Sequence, residues 1–265
     1  DGAVFAIGTM NNDNNGANSG HVRVYQYTSS IGMWTQLGMD IEGEAANDQS
    51  GHSVALSSDG SIVAIGALGN DANANGSGHV RVYEFDGISW TQLGTDIDGE
   101  AVNFEFFGAA VDINADGTIV AIGAVGNDGN GNDSGHVRVY QYDGISWTQL
   151  GTDIDGEAGS DRSGRMVSLS SDGTIVAIGA AANDGNGSNA GHVRIYQYDP
   201  TTISGWTQLG TDIDGEAAKD LSGLGVALSS DGTIVAIGAP WNGDSDNHFG
   251  HGRVYLFAPD SDGDG

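Results

Sequence analysis

The chain has 265 residues, 38% of them hydrophobic and 8% aromatic, which is enough for a sizeable core and too apolar for a disordered tail. Its 36 Asp and Glu outnumber 8 Lys and Arg, a formal charge of −28, so neither nucleic acid nor anionic lipid is an expected partner. It has no cysteine, which removes disulfide and thiol chemistry, and no apolar run reaches the roughly 20 residues of a membrane span, so no membrane insertion is expected.

The first element in chain order begins near Val4, Val-Phe-Ala-Ile-Gly, a short apolar strand. An Asn/Asp/Gly loop follows, and then Gly20-His21-Val22-Arg23-Val24-Tyr25. That string returns at 78–83 and 135–140, with one change at 191–196 and another at 250–255. Its histidines, 21, 79, 136, 192 and 251, are spaced by 58, 57, 56 and 59 residues. Internal repetition of this kind decides the architecture. The repeats divide the chain at 1–48, 49–105, 106–162, 163–221 and 222–258, the first and last incomplete, and leave an acidic tail at 259–265. Because residue 1 falls inside a repeat, a processed product or an excerpt is expected.

The second repeat shows the elements in order. Residues 53–57 form a first strand, and Ser58-Asp59-Gly60 is hairpin chemistry because Gly accepts positive φ. Residues 62–67, Ile-Val-Ala-Ile-Gly-Ala, are apolar on both faces, as in a strand buried between layers. After the loop 69–78 the third strand alternates, with Val80 and Val82 opposite His79, Arg81 and Tyr83. Asp86-Gly87 turns into a fourth strand opening on Trp90, and the acidic corner Asp96-Ile97-Asp98-Gly99-Glu100 leads onward. No helical period is sustained. The fold class is all-β, a β-propeller of four-stranded antiparallel blades in about five repeats of 56–59 residues. A linear β-solenoid competes less well, since parallel coils need no hairpin turns.

Counting strands by type gives five second and five third strands but four first and four fourth strands. The first repeat therefore lacks its first strand and the last repeat its fourth. These leftovers do not sum to one blade. A segment of a longer repeat protein is expected, or self-association through open sheet edges into a surface filament. The plainer alternative is a five-bladed ring with two imperfect blades.

The order of the elements resembles the FG-GAP repeat of integrin α-subunit propellers and their bacterial relatives. The resemblance rests on Phe107-Gly108, on Gly238-Ala239-Pro240, on Gly-Glu corners at 43–44, 99–100, 156–157 and 215–216, and on the recurring Gly-x-Val-x-x-Tyr-like strand. It covers nearly the whole chain through short motifs in repeated order. It implies a secreted or cell-surface adhesion module, with protein or glycan partners at a cell surface or matrix. It also implies calcium in a loop between first and second strands. Asp112, Asn114 and Asp116 fit the first half of such a loop, whose ninth position is Val120 and not an acid; the other copies read Ser-Ser-Asp-Gly. Asp260, Asp262 and Asp264 in the tail are a second candidate calcium set.

Four loops pair an Asp with a His eight residues later: Asp13 and His21, Asp71 and His79, Asp128 and His136, Asp184 and His192. They are a candidate ligand or calcium rim, or else Asx-turns that close each loop. Trp241, outside the tryptophan repeat, is a candidate recognition aromatic. The arginines at 23, 81, 138, 194 and 253 share one strand position and suit pairing with carboxylates. Trp34, Trp90, Trp147 and Trp206 suit blade packing. No nucleophile elbow, P-loop or His-Glu-x-x-His is present. The expected function is thus a non-enzymatic binding, adhesion or structural module. A multivalent lectin is the alternative, and a glycoside-active propeller enzyme the more remote one.

Overall fold

The computed structural model describes residues 3–100, 104–241 and 250–256. Among them there is no helix, and the strands form five antiparallel sheets in repeated units. The second sheet runs Ser53–Leu56, Ile62–Ala67, His79–Phe85 and Trp90–Gln92 in spatial order. The third begins with Phe107–Ile113 and Ile119–Ala124, and the fourth with Met166–Leu169 and Ile175–Ala180. Among the described residues the first sheet starts at Val4–Thr9, without the strand that opens the others, and the fifth ends at His251–Leu256, without a fourth strand. Each acidic corner adds a strand that its composition hides. Ile97–Asp98 pairs with the start of His79–Phe85, beside Trp90–Gln92 on the same edge. Isoleucine at the centre of the corner is buried in doing so.

The Ile-Val-Ala-Ile-Gly-Ala strands are apolar on both faces because both faces meet protein. Ile119–Ala124 and Ile175–Ala180 are buried at every residue. The core is a series of layers between consecutive sheets. Val22 and Val24 pack with Val63 and Ile65, Val80 and Val82 with Val120 and Ile122. Val137 and Val139 pack with Val176 and Ile178, Val193 and Ile195 with Val235 and Ile237. Each buried Val or Ile contributes about 1.5–3 kcal/mol, and each sheet spends its contribution on its neighbours alone. Among the described residues no such layer joins the fifth sheet to the first: Ile7 is 47% and Val254 71% exposed. The architecture is β-propeller-like.

Two devices set the spacing between sheets. The second-strand glycine lies against the glycine that precedes the next sheet's first strand: a Cβ on Gly123 would stand 2.0 Å from the Gly164 carbonyl oxygen, and one on Gly66 2.2 Å from that of Gly108. The repeated tryptophan then pins the outer edge. Trp90 Nε1 donates to the Leu37 carbonyl, Trp147 Nε1 to Leu93 and Trp206 Nε1 to Leu150, each at 2.8 Å. First strands pack on one another from sheet to sheet.

Candidate functional site

The segment that enters each first strand is built around one buried carboxylate. Asp48 accepts the Ala45 N–H, Asp161 that of Ala158, and Asp220 that of Ala217; Glu105 takes the same place in the third sheet and accepts the Glu100 N–H. Folding the backbone around that acid puts its neighbours on both sides at positive φ. These are Asn47 and Gln49, Phe104 and Phe106, Ser160 and Arg162, Lys219 and Leu221, at 54–72°. Such values cost a side-chain-bearing residue on the order of 1 kcal/mol each, offset here by the carboxylate's hydrogen bonds. The scaffold is the same four times, but the side chains it presents are not. Gln49 and His52 in one sheet become Phe106 and Ala109, then Arg162 and Arg165, then Leu221 and Leu224.

Where the last three of these segments converge lies a cavity of about 510 Å³, lined by Leu68, Phe106, Ala109, Asp133, Arg162, Arg165, Asn189, Leu221 and Leu224 among others. That volume suits a small molecule, and an apolar wall with a few convergent polar groups suits binding. Neither guanidinium has an ion pair among the described residues. In a chain with 8 Lys and Arg against 36 Asp and Glu, two of the arginines share one cavity with a single aspartate, Asp133. His52, at the position equivalent to Arg165, has a buried Nδ1 with no hydrogen-bond partner. Burial first, and then the Arg165 charge, pull its pKa below the ordinary imidazole value, so it is neutral at pH 7.

The Asp–His pairs read from the loops are not brought together. Asp13 accepts the Asn18 N–H, Asp71 that of Gly76, Asp128 that of Asp133 and Asp184 that of Asn189, each five residues on. The histidines instead face the acidic corners. His21 joins Asp40 and Glu42; His79 joins Glu44 and Asp96; His136 joins Asp153 and Asp155; His192 joins Glu157 and Asp212. Within each group the ligand atoms lie within 4.8 Å of one another, close enough to hold a metal ion. The repeated arginines reach carboxylates of the same acidic corners: Arg23 holds Asp40, Arg81 lies against Glu44, Arg138 holds Asp153 and Glu100, Arg194 lies against Glu157, and Arg253 holds Glu216. Asp40 is accordingly held at a pKa of about 2, chiefly by the Arg23 hydrogen bonds.

Asp112, Asn114 and Asp116 sit in their hairpin as acceptors. Asp112 takes the N–H of Ile113 and of Leu169 in the next sheet, Asn114 that of Ile119, and Asp116 that of Thr118. Trp241 is half exposed. Asp260, Asp262 and Asp264 lie outside the described residues. The motif search missed Arg162, Arg165 and His52. The available signal was subtraction: five of the seven arginines recur at one strand position, and these two do not.

No protein-family model matches the chain, and no curated protein matches it. Among solved structures it is similar to a periplasmic gluconolactonase from Pseudomonas aeruginosa, with 13% identity over 97% of this chain and 69% of that one, at a TM-score of 0.55. A putative 6-phosphogluconolactonase from Bacteroides uniformis matches at 12% identity over 97% of this chain and 79% of that one, at a TM-score of 0.48. At such identities the likeness concerns the fold. It nonetheless corrects the expectation of a non-enzymatic adhesion module that is not an enzyme: the neighbour at a TM-score of 0.55 carries the name of an enzyme, not of an adhesin. No helix of the described residues is long and apolar enough to cross a membrane.

Proposed function

We propose that this cavity is the active site of a hydrolase that opens the lactone ring of a small, anionic sugar-acid derivative outside the cytoplasm. The guanidiniums of Arg162 and Arg165 in the cavity carry this reading. Arg presents planar, bidentate donors suited to a carboxylate or phosphate, and it stabilises the negative charge that develops on a carbonyl oxygen under attack. A neutral His52 supplies the base that takes the proton of the attacking water. Water adds to the ring carbonyl, the ring C–O bond breaks, and the product carboxylate remains beside the arginines. The name of the fold neighbour at a TM-score of 0.55 supplies the substrate class and the location outside the cytoplasm.

The test is acid release from glucono-1,5-lactone and its 6-phosphate in a pH-stat, corrected for spontaneous opening. The expected result is catalysed hydrolysis that falls at least tenfold in Arg165→Ala and His52→Gln, with the phosphorylated substrate preferred. Hydrolysis no faster than buffer for both lactones would refute the proposal.

A further inference from the structure

The four His–carboxylate groups between sheets are alike in sequence but fall into two arrangements. In the first and third sheets the strand arginine lies on the aspartate of its own corner. Arg23 Nε and Nη2 reach the Asp40 carboxylate at 2.9 and 2.7 Å, and Arg138 Nε and Nη2 reach that of Asp153 at 2.8 and 2.6 Å. In the second and fourth sheets the arginine leaves that aspartate and lies against the glutamate of the preceding corner, Arg81 Nη1 3.4 Å from Glu44 Oε1 and Arg194 Nη1 4.0 Å from Glu157 Oε1. Arg81 Nη2 donates to the Glu42 carbonyl at 2.9 Å and Arg194 Nη2 to the Asp155 carbonyl at 2.7 Å, each guanidinium lying 5.6 Å from the ring of Tyr83 or Tyr196. Asp96 and Asp212 then accept a side-chain bond from Gln92 and Gln208 on one oxygen, and the other oxygen faces a histidine.

Of the four histidines, those two leave both ring nitrogens without a hydrogen bond, whereas His21 leaves only Nδ1 and His136 only Nε2. The side chains of His79 and His192 are 1% exposed, and neither ring nitrogen of either makes a hydrogen bond. Burying four such atoms unsatisfied is costly. Nδ1 of His79 points at Glu44 Oε2, 3.9 Å away, and Asp96 Oδ2, 3.8 Å away. Nδ1 of His192 stands 3.7 Å from Glu157 Oε2 and 3.9 Å from Asp212 Oδ2. Ligands about 2.1 Å from a tetrahedral zinc ion are separated by about 3.4 Å, so a small rotation of the partly exposed carboxylates closes either set. The carboxylates come from the corners on both sides of each sheet, so an ion here clips adjacent sheets together.

We propose that Glu44, His79 and Asp96, and again Glu157, His192 and Asp212, are two equivalent sites for a borderline divalent cation of the zinc or manganese class. Imidazole as a ligand favours such ions over calcium, which takes oxygen ligands. In the first and third sheets the arginine occupies the aspartate that would face the ion, whereas Arg81 and Arg194 touch only the glutamate and leave Asp96 and Asp212 facing the histidine.

The experiment is calorimetric titration of the chelator-treated full chain with zinc, manganese and calcium chlorides in turn. Two equivalents of zinc or manganese at micromolar affinity are expected. Asp96→Asn removes one equivalent, Asp96→Asn with Asp212→Asn removes both, and Asp40→Asn leaves two. Glu44→Gln, at a half-exposed side chain, repeats the single loss should Asp96→Asn fold poorly. Cobalt substitution gives a visible band that vanishes with the same variants. Weak uptake indifferent to these substitutions, tight binding of calcium alone, or no binding up to about 1 mM overturns the proposal.

Discussion

Placing a methyl group on Gly123 tests the account of how the sheets are spaced. Its Cβ would lie 2.0 Å from the Gly164 carbonyl oxygen, 2.9 Å from its carbonyl carbon and 3.1 Å from its Cα. Ordinary contact begins near 3.4 Å, so the two sheets must separate by more than about 1 Å, and neither partner is a side chain that can rotate away. Gly164 cannot retreat easily, since it holds a φ of 85° and donates its neighbourhood to the buried first strand. Overpacking between backbones costs about 3 kcal/mol or more. For a chain of this size each kcal/mol lowers Tm by roughly 2–4 °C, hence a fall of roughly 6–12 °C in Gly123→Ala. Gly179→Ala, 2.1 Å from the Gly223 carbonyl oxygen, should behave alike. Gly238→Ala is the control at the same repeat position in the fifth sheet, where the nearest atom is 3.7 Å away, and should stay within about 0.5 kcal/mol of the parent. Scanning calorimetry of the three variants decides the matter. Equal shifts in all three, or an unshifted Gly123→Ala, would refute the close-approach argument.

Trp147→Phe keeps an aromatic ring but loses the 2.8 Å bond to the Leu93 carbonyl; urea denaturation should show a loss of about 1–2 kcal/mol. Trp34→Phe, at a side chain 44% exposed on the first sheet, should change stability by less than about 0.5 kcal/mol. Asp231 accepts bonds from Ser229, Thr233 N–H and Thr233 hydroxyl, which hold its pKa at about 2. Its contribution to stability is present above the ordinary aspartate range and is lost as pH falls through about 2. NMR titration should find that midpoint, and Ser229→Ala should move it upward. In the hydrolase assay the acidic limb of the pH–rate profile should report His52 below the ordinary imidazole pKa, because only the unprotonated ring acts as base. Arg165→Ala removes a neighbouring positive charge and should shift that limb toward higher pH; an unmoved limb would separate His52 from the chemistry.

The strands were legible because each repeat states its pattern several times. Alternation in His79–Phe85 and two-faced apolarity in Ile62–Ala67 each have one structural solution once their turns are recognised. The two-residue strands such as Ile97–Asp98 were not legible, since an Asp-Ile-Asp-Gly-Glu run reads as solvated turn chemistry until the buried isoleucine is seen against the third strand. The carboxylate partners of the histidines were hidden for a different reason. Asp71 is eight residues from His79 and spends its oxygen on its own loop, whereas Asp96 is seventeen residues away and Glu44 belongs to the preceding repeat. Pairing across sheets depends on layer order, and short-range spacing does not encode it.

The same reasoning explains why function was hardest to read. A repeated residue is constrained by a contact that every sheet must make, as with the tryptophan bonds and the glycine pairs. A residue that departs from the repeat at a position of fixed backbone geometry is free of that constraint, so its identity is available to chemistry. The strained segments before the first strands supply such positions, because the buried acid holds their backbone whatever side chain follows. Four sheets present different side chains there, and those of the third, fourth and fifth sheets converge on one cavity. Aligning the repeats and discarding what they share therefore isolates His52, Arg162 and Arg165, which a search for shared motifs discards first.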